Sequence, residues 1–375
     1  MTTDKFTIII VGGGIAGLAT AIALHKPGRE IIILDQSKFL REVGAAISLQ
    51  ANATKILRKW GVYDYMANNG GVRDGGFEIF DDKGNLFKSV VLPKDSVSPR
   101  LVFHRVDLHN NLLHLATHPT VPDCKVRVEL NKKVTFCDSS SGTVETEDGA
   151  QFSADLIVGA DGIHSRLREI VIPNAPKPQP TGTSAYRILT PISSLEHIPE
   201  AKQFMKPLTT MVIGGDRRHV QETTSNAWTS EGSVDKLLQS FAGFPQWLLD
   251  VFKETSSTAL WQLRTVPPLP TWIRGRVALI GDAAHAMLPL RGQGASQSIE
   301  DAEALGVVFD EPCRNREDLE SRLQTFFKGR YERASKVQAY STETGQSEGG
   351  TFRDPMEFEE YSTGYDGFQK WITSR

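Results

Sequence analysis

The 375-residue chain reads as an α/β protein built on a parallel, helix-covered sheet, and three stretches predict it. Each is an apolar run that meets a glycine- or aspartate-containing turn and then a helix start. They are Ile8-Ile9-Ile10-Val11 before Gly12-Gly13-Gly14, Leu156-Ile157-Val158 before Gly159-Ala160-Asp161-Gly162, and Val277-Ala278-Leu279-Ile280 before Gly281-Asp282. Apolar runs without polar alternation belong to strands covered on both faces, as parallel strands are when helices lie on either side.

The first stretch has the order a dinucleotide site needs: a strand, a sharp glycine turn, and a helix over Ile15 to Leu24. Gly12 permits the turn, Gly14 lets the main chain approach a pyrophosphate, and Gly17 lets the helix pack on the strand. The free N–H groups of the first helical turn and the helix dipole then face the phosphates. Asp35 closes the next apolar run, Ile31-Ile32-Ile33-Leu34, where its carboxylate can accept bonds from ribose hydroxyls and would repel a 2′-phosphate. FAD or NAD therefore fits better than NADP, and the unit is Rossmann-like.

A chain of this length holds two domains or one with a large insertion, and 39% hydrophobic residues support a full core. The formal charge of −3 and the lack of a Lys/Arg run exclude nucleic acid as an expected partner. Cys124, Cys137 and Cys313 share no metal-ligand or CxxC spacing and no His cluster completes a site, so no metal is expected and the thiols read as reduced. Met1 to Phe6 is polar and runs into the first strand, and no apolar run approaches spanning length. A cytoplasmic protein with no membrane span is expected.

Along the chain, Gln36 to Ile47 is polar and then small. It fits either a segment lying along an extended cofactor, with Arg41 near ribose or phosphate, or an ordinary loop. Ala53 to Trp60 reads as a helix, and Gly75 to Leu92 as a hairpin turning at Asp82-Lys83-Gly84-Asn85. His104-Arg105-Val106-Asp107 leads a helix whose Leu108, Leu112, Leu115 and Ala116 recur at helical spacing; Arg105 at its start suits a cofactor phosphate, the flavin end or plain solvent. Short strands follow around 126–130, 134–137 and 144–146. Asp161 and Gly162 read as shaping a turn beside the first glycine loop, with Asp161 a candidate cofactor-binding residue, and Arg168 just beyond fits a phosphate contact, an acid partner or an ordinary connection.

Residues 184–266 have another texture, with strands at 184–189, 210–213 and 259–264 and a helix over 234–252, and read as a second domain. After prolines 267, 268 and 270 comes the third turn, where Asp282 suits ribitol hydroxyls. Gly292-Gln293-Gly294-Ala295 then opens a helix near Ser298, its amides placed to stabilise negative charge on a reduced flavin. A late helix spans Glu317 to Val337, 341–350 reads as a loop, and the aromatic-rich tail to Arg375 is expected to dock on the body or on a second subunit.

Together the glycine loop with Asp35, the Gly159-to-Ser165 stretch with Arg168, and Gly281-Asp282-Ala283-Ala284-His285 running on to Glu300-Asp301-Ala302 resemble the three fingerprints of single-component FAD-dependent aromatic hydroxylases. The likeness is greatest to the salicylate hydroxylase-like group of fungal type, includes Leu40 to Ala45 and His104 to Leu108, and spans most of residues 1–340. It implies a para-hydroxybenzoate hydroxylase-like fold: a three-layer FAD-binding domain (1–73, 101–183 and 269–340) with an inserted α+β substrate domain (74–100 and 184–268) and a tail (341–375). It implies a monooxygenase in which NAD(P)H binds transiently and reduces FAD, and O2 yields a flavin hydroperoxide that hydroxylates a small aromatic substrate, in a monomer or homodimer. By similarity Asp35, Arg41, Ala46, Arg105, Asp282 and Ala295 contact FAD, and Arg187 lines the active site.

One place departs from that pattern. Where similar enzymes continue through a Tyr-Pro strand and two more, Val220 here is followed at once by Gln221 to Ser225; roughly 20 residues are missing, judged from ordinary strand lengths. Thr223 stands where a tyrosine is expected, and the middle sheet is expected to be shortened. His219 keeps a position suited to accepting a phenol proton, with a structural histidine as the other reading. A second functional reading follows from the gap: a catalytically impaired FAD-binding paralogue. An NAD-dependent dehydrogenase leaves the Asp161 and Asp282 motifs idle, a flavin halogenase lacks its WxWxIP motif, and a hydrolase lacks a GxSxG elbow.

Overall fold

The structure, a computed structural model, describes residues 5–38, 46–92, 98–201, 209–213, 229–255, 258–311, 313–346 and 355–375. Its centre is a six-stranded sheet in the order Ile273–Arg274, Val277–Leu279, Leu156–Gly159, Phe6–Val11, Arg29–Leu34, Cys124–Glu129. Neighbours run parallel except the first pair, a short antiparallel turn-back. The three apolar runs of the sequence are adjacent here, and Ile8, Ile9, Ile10, Leu156, Ile157, Val158 and Val277 to Leu279 are wholly buried. Helices Ile15–Ala23 and Gly294–Val308 pack on each other over the sheet, where Gly306 lets the backbones approach: a Cβ there would lie 2.8 Å from the Ala23 carbonyl oxygen.

Among the described residues, three smaller antiparallel sheets accompany this core. Ala46–Leu49 and Val72–Arg73 flank Leu101–His104; Val134–Asp138, Thr143–Thr146 and Gln151–Ser153 form a meander; and Thr258–Thr265 lies between Gln179–Ile188 and Thr229–Gly232. The expected hairpin is Gly76–Asp81 with Leu86–Val91, its turn held by Asp81 Oδ1 accepting from the N–H groups of Lys83 and Asn85. Thr209–Ile213 joins it in parallel. Gly214 to Ser225, the site of the expected shortening, lies outside the described residues, as do His219 and Thr223.

Three expectations need correction. The helix expected over 234–252 is two, Val234–Ser240 and Gln246–Lys253, because Pro245 cannot donate into a helical turn and pushes Phe244 out of the helical region. The helix expected near Ser298 begins at Gly294, since nothing there needs an extended backbone. The late helix runs from Arg316 to Gln346, through part of the expected loop: Tyr340 and Ser341 are buried, and Ser341 and Thr342 turn their hydroxyls back onto helical carbonyls. No helix among the described residues is long and apolar enough to cross a membrane. The cysteines are unpaired, and burial pushes the Cys137 thiol up to about 12, where it stays protonated and inert.

Candidate cofactor and active site

Parallel neighbouring strands end at the same edge of a sheet. Val11 pairs with Gly159 and with Leu34, and Gly159 with Leu279, so Gly12–Gly14, Asp35, Ala160–Gly162 and Gly281–Asp282 fall side by side at the carboxyl edge. This edge, where the chain leaves the first strand to either side, is where open α/β sheets bind ligands. Here it forms one continuous groove of about 660 Å³ that reaches from Asp35, past Gly13, Gly14 and Asp282, to Arg187 and Trp261 on the neighbouring sheet.

At the first turn, Gly12 and Gly17 do not line the groove; they make its shape. A Cβ at Gly12, whose φ is +110°, would lie 2.3 Å from the Ala160 oxygen, and one at Gly17 would lie 2.0 Å from the Gly12 oxygen. Gly14 is different. It lines the groove with nothing within 4 Å of where its Cβ would be, so open space meets the start of helix Ile15–Ala23. Asp35 accepts from the Gly13 N–H at 2.7 Å and from the Ser37 N–H at 2.8 Å, and also faces the groove. An open glycine cradle at a helix N-terminus, with a carboxylate beside it, fits the pyrophosphate and ribose of a dinucleotide.

His109, which the sequence reading passed over inside an apolar stripe, completes this turn. Buried on helix Arg105–Thr117 one turn after Arg105, it holds the Gly13 carbonyl through Nε2 at 2.8 Å. A carbonyl only accepts, so Nε2 carries the proton. Gly13 is thereby pinned at both ends, by Asp35 and by His109. The polar residue among leucines at helical spacing was the signal that marks it. Replacing His109 by alanine orphans the Gly13 carbonyl, at a cost of about 1–3 kcal/mol, and is expected to weaken FAD about tenfold. A fluorescence titration with FAD checks this; unchanged affinity would refute the pinning role.

Asp161 does not line the groove. Its carboxylate accepts from Ser165 Oγ at 2.6 Å and from the N–H groups of Arg166 and Leu167 at 2.7 and 3.1 Å, so it caps the helix that follows and shapes the turn instead of reaching a cofactor. Burial pushes its carboxyl above the usual range, partly offset by those donors. Nor does Arg168 reach a phosphate or an acid: buried, it donates to the carbonyls of Ile163, Asp282 and Ala283, each at 2.8 Å, and so ties the second turn to the third.

Asp282 lines the groove directly after Gly281, whose φ of +55° sets the bend. Open to the groove yet walled by protein, its carboxyl is raised by desolvation, with His285, Arg105 and Arg168 pulling the other way. Asp301 holds this turn from behind: it accepts from the Gly281 N–H at 2.9 Å, His285 Nε2 at 2.6 Å and Arg330 Nε at 2.8 Å. Of the remaining expected contacts, Ala46, Arg105, Gly294 and Ala295 all line the groove, and pairing of Ala46 with His104 sets Ala46 beside Arg105. Arg41 lies outside the described residues.

At the far end Arg187 stacks over the Trp261 ring, 4.9 Å from its centroid, from the neighbouring antiparallel strand. Burial, and then the charge of Arg105, push the Arg187 guanidinium down from its ordinary value, so two arginines face one space. Met287, Leu288 and Pro289 also line the groove and give it an apolar wall. Among the described residues no cluster of three or more His, Cys, Asp or Glu could hold a metal ion.

A model of the FAD binding domain family matches residues 5–341. Hispidin-3-hydroxylase of Neonothopanus nambi is 32% identical, over 91% of this chain and 88% of its own length. The FAD-dependent monooxygenase cfoG of Aspergillus candidus is 30% identical, over 89% and 84%. A salicylate hydroxylase substrate complex superposes with a TM-score of 0.77 at 26% identity, over 99% of this chain and 96% of that one. The glycine cradle, the Asp35 carboxylate and the third turn lie along one groove, and the chain belongs to the FAD binding domain family, as an FAD-dependent monooxygenase.

Proposed function

We propose that the protein hydroxylates a small aromatic metabolite, converting substrate, O2, NAD(P)H and a proton into hydroxylated product, NAD(P)+ and water. The observation that carries this reading is the groove itself: the cofactor turns and an arginine-and-tryptophan end share one space, so a ring held beside Trp261 would share the cavity with the cofactor. FAD, when bound, supplies electron transfer and oxygen activation. Gly14, Asp35, Ala46, Arg105, Asp282, Gly294 and Ala295 are the residues proposed to hold it.

The chain's own part is positioning. Arg187 stays cationic and presents donors to a phenolic or carboxylate oxygen, while Trp261 offers a flat apolar face to the ring. The apolar Met287, Leu288 and Pro289 in the groove lining are the residues proposed to exclude water from a bound ring. NAD(P)H is proposed to visit this groove and leave, since no second glycine cradle for it accompanies the first in the sequence.

The test is purification of the full chain, its visible spectrum, and NAD(P)H oxidation across a panel of phenols and phenolic acids with isotope-labelled O2. The expected result is flavin absorbance, oxidation stimulated by one substrate class, and product carrying one labelled oxygen. With Arg187→Ala, KM for that substrate rises at least about tenfold while FAD affinity holds, because a charged hydrogen bond is lost at the substrate end alone. Failure to bind FAD would overturn the reading; FAD binding without stimulated turnover on any substrate would favour the impaired paralogue.

A further inference from the structure

The tail that the sequence left between body and second subunit folds back on its own chain, and it does so beneath the third turn. Helices Pro355–Thr363 and Phe368–Thr373 pack against Ala51–Lys59, Gly294–Val308 and Arg316–Gln346. The seat is built for them. Phe368 is fully buried over Gly329, where a Cβ would lie 2.3 Å from its ring. Glu303 accepts from the Tyr365 hydroxyl at 2.5 Å and from the Phe368 N–H at 3.0 Å, and Lys55 donates to the Thr363 carbonyl at 2.9 Å.

Two separate lines of contact run from the tail to residues 281–292, which include Asp282 and the Met287-to-Pro289 wall. The first is ionic. Arg333 donates to the Tyr361 and Ser362 carbonyls, both at 2.8 Å, and grips Glu300 with two bonds of 2.7 and 2.8 Å. Glu300 shares Arg330 with Asp301, at 2.5 and 2.8 Å, and Asp301 holds the Gly281 N–H and His285. Arg330, Glu300 and Asp301 are wholly buried, so each must keep its partner where it is.

The second line is apolar. Phe358, buried in an edge-on stack with Tyr340, packs in the cluster that Met287 joins, and its ring lies 4.9 Å from the Arg291 guanidinium. Met287 lines the groove; Arg291 precedes Gly292, which also lines it and whose φ of +60° turns the chain into the Gly294 helix.

We propose that residues 355–375 form a clamp that sets the geometry of the third turn and of the adjoining Met287-to-Pro289 wall, with Arg333 and Phe358 as positioning residues for the flavin reaction. Neither touches the groove. Their effect passes through Asp301 to Gly281 and Asp282, and through Met287 and Arg291 to the wall. The effect on FAD rests only on the family; the effect on coupling rests on the hydroxylase reading proposed above.

The test uses the full-length holoprotein with Phe358→Ala, Phe358→Leu, Arg333→Gln and Arg333→Lys, and with Val144→Ala, in the core of the 134–153 meander, as a control for lost packing alone. Visible circular dichroism of the bound flavin, FAD affinity, melting temperature, and the share of consumed NAD(P)H that ends as H2O2 are read for each. Phe358→Ala and Arg333→Gln are expected to change the flavin dichroism, weaken FAD about threefold to tenfold, and raise the H2O2 share, with Phe358→Leu restoring part of each. Val144→Ala lowers the melting temperature and leaves the flavin signature unchanged. If the tail variants behave as Val144→Ala does, the clamp is refuted; should Phe358→Ala or Arg333→Gln fail to fold, Phe358→Leu and Arg333→Lys carry the same comparison. An altered flavin signature in protein that hydroxylates nothing, wild type included, would sustain the clamp and overturn the hydroxylase reading.

Discussion

Gly17→Ala is expected to abolish FAD binding and to destabilise the fold by about 3 kcal/mol or more. Its Cβ would sit 2.0 Å from the Gly12 oxygen, a backbone atom that cannot swing aside, so helix Ile15–Ala23 must leave the strand it packs on. That helix also packs on Gly294–Val308, which carries the loss to the third turn. Gly14→Ala makes the contrast: nothing lies within 4 Å of its Cβ, so the fold holds while a methyl group enters the space proposed for the pyrophosphate. Thermal denaturation beside FAD titration separates the two. Gly17→Ala should lose both stability and binding, and Gly14→Ala binding alone. A Gly17→Ala protein with wild-type melting and affinity would refute the close-approach argument.

Arg330→Met is expected to cost about 3–5 kcal/mol at neutral pH, because it leaves two carboxylates without the buried cation they share. The pH dependence gives the sign. Burial opposes ionisation of Glu300 and Asp301, yet the charges facing them, Arg330 and Arg333 on Glu300 and His285 and Arg330 on Asp301, outweigh it and hold both carboxyls below the usual range. A carboxyl lower in the folded than in the unfolded chain contributes stability that is complete above the unfolded value of about 4, and that contribution is lost as pH falls through the folded one. The deficit of Arg330→Met should therefore be widest near pH 7 and narrow in acid below about pH 4, where the carboxyls take up protons. Urea denaturation at both pH values checks this, and a deficit independent of pH would exclude the ionic account.

Much of the fold was legible because its signals are local. An apolar run, a glycine turn and a helical stripe are all written within a dozen residues, and each of the three stretches became the strand, turn and helix start expected of it. The hairpin at 76–91 and the helix after His104 followed from spacing in the same way. Helix ends were less legible where no cap or proline marks them, as at Gly294 and Gln346. Of the site residues, Asp35, Asp282 and Gly14 line the groove, whereas Asp161 caps a helix and Arg168 joins two turns. Composition cannot distinguish a carboxylate aimed at a ligand from one aimed at the next helical amide, since both follow a strand and a turn.

The sequence by itself determined that there are three turns and that the first suits a dinucleotide, for its glycines and strand-end aspartate state their own backbone needs. Only the tertiary structure decided that the turns share one groove, because that depends on strand order, which places Val277–Leu279 beside Leu156–Gly159 across more than a hundred residues of chain. It also decided that His109 holds Gly13, and that Arg333 binds Glu300 and the tail at once. Those partners are far apart in sequence, and a buried charge is tolerated only where folding brings its counter-charge to it.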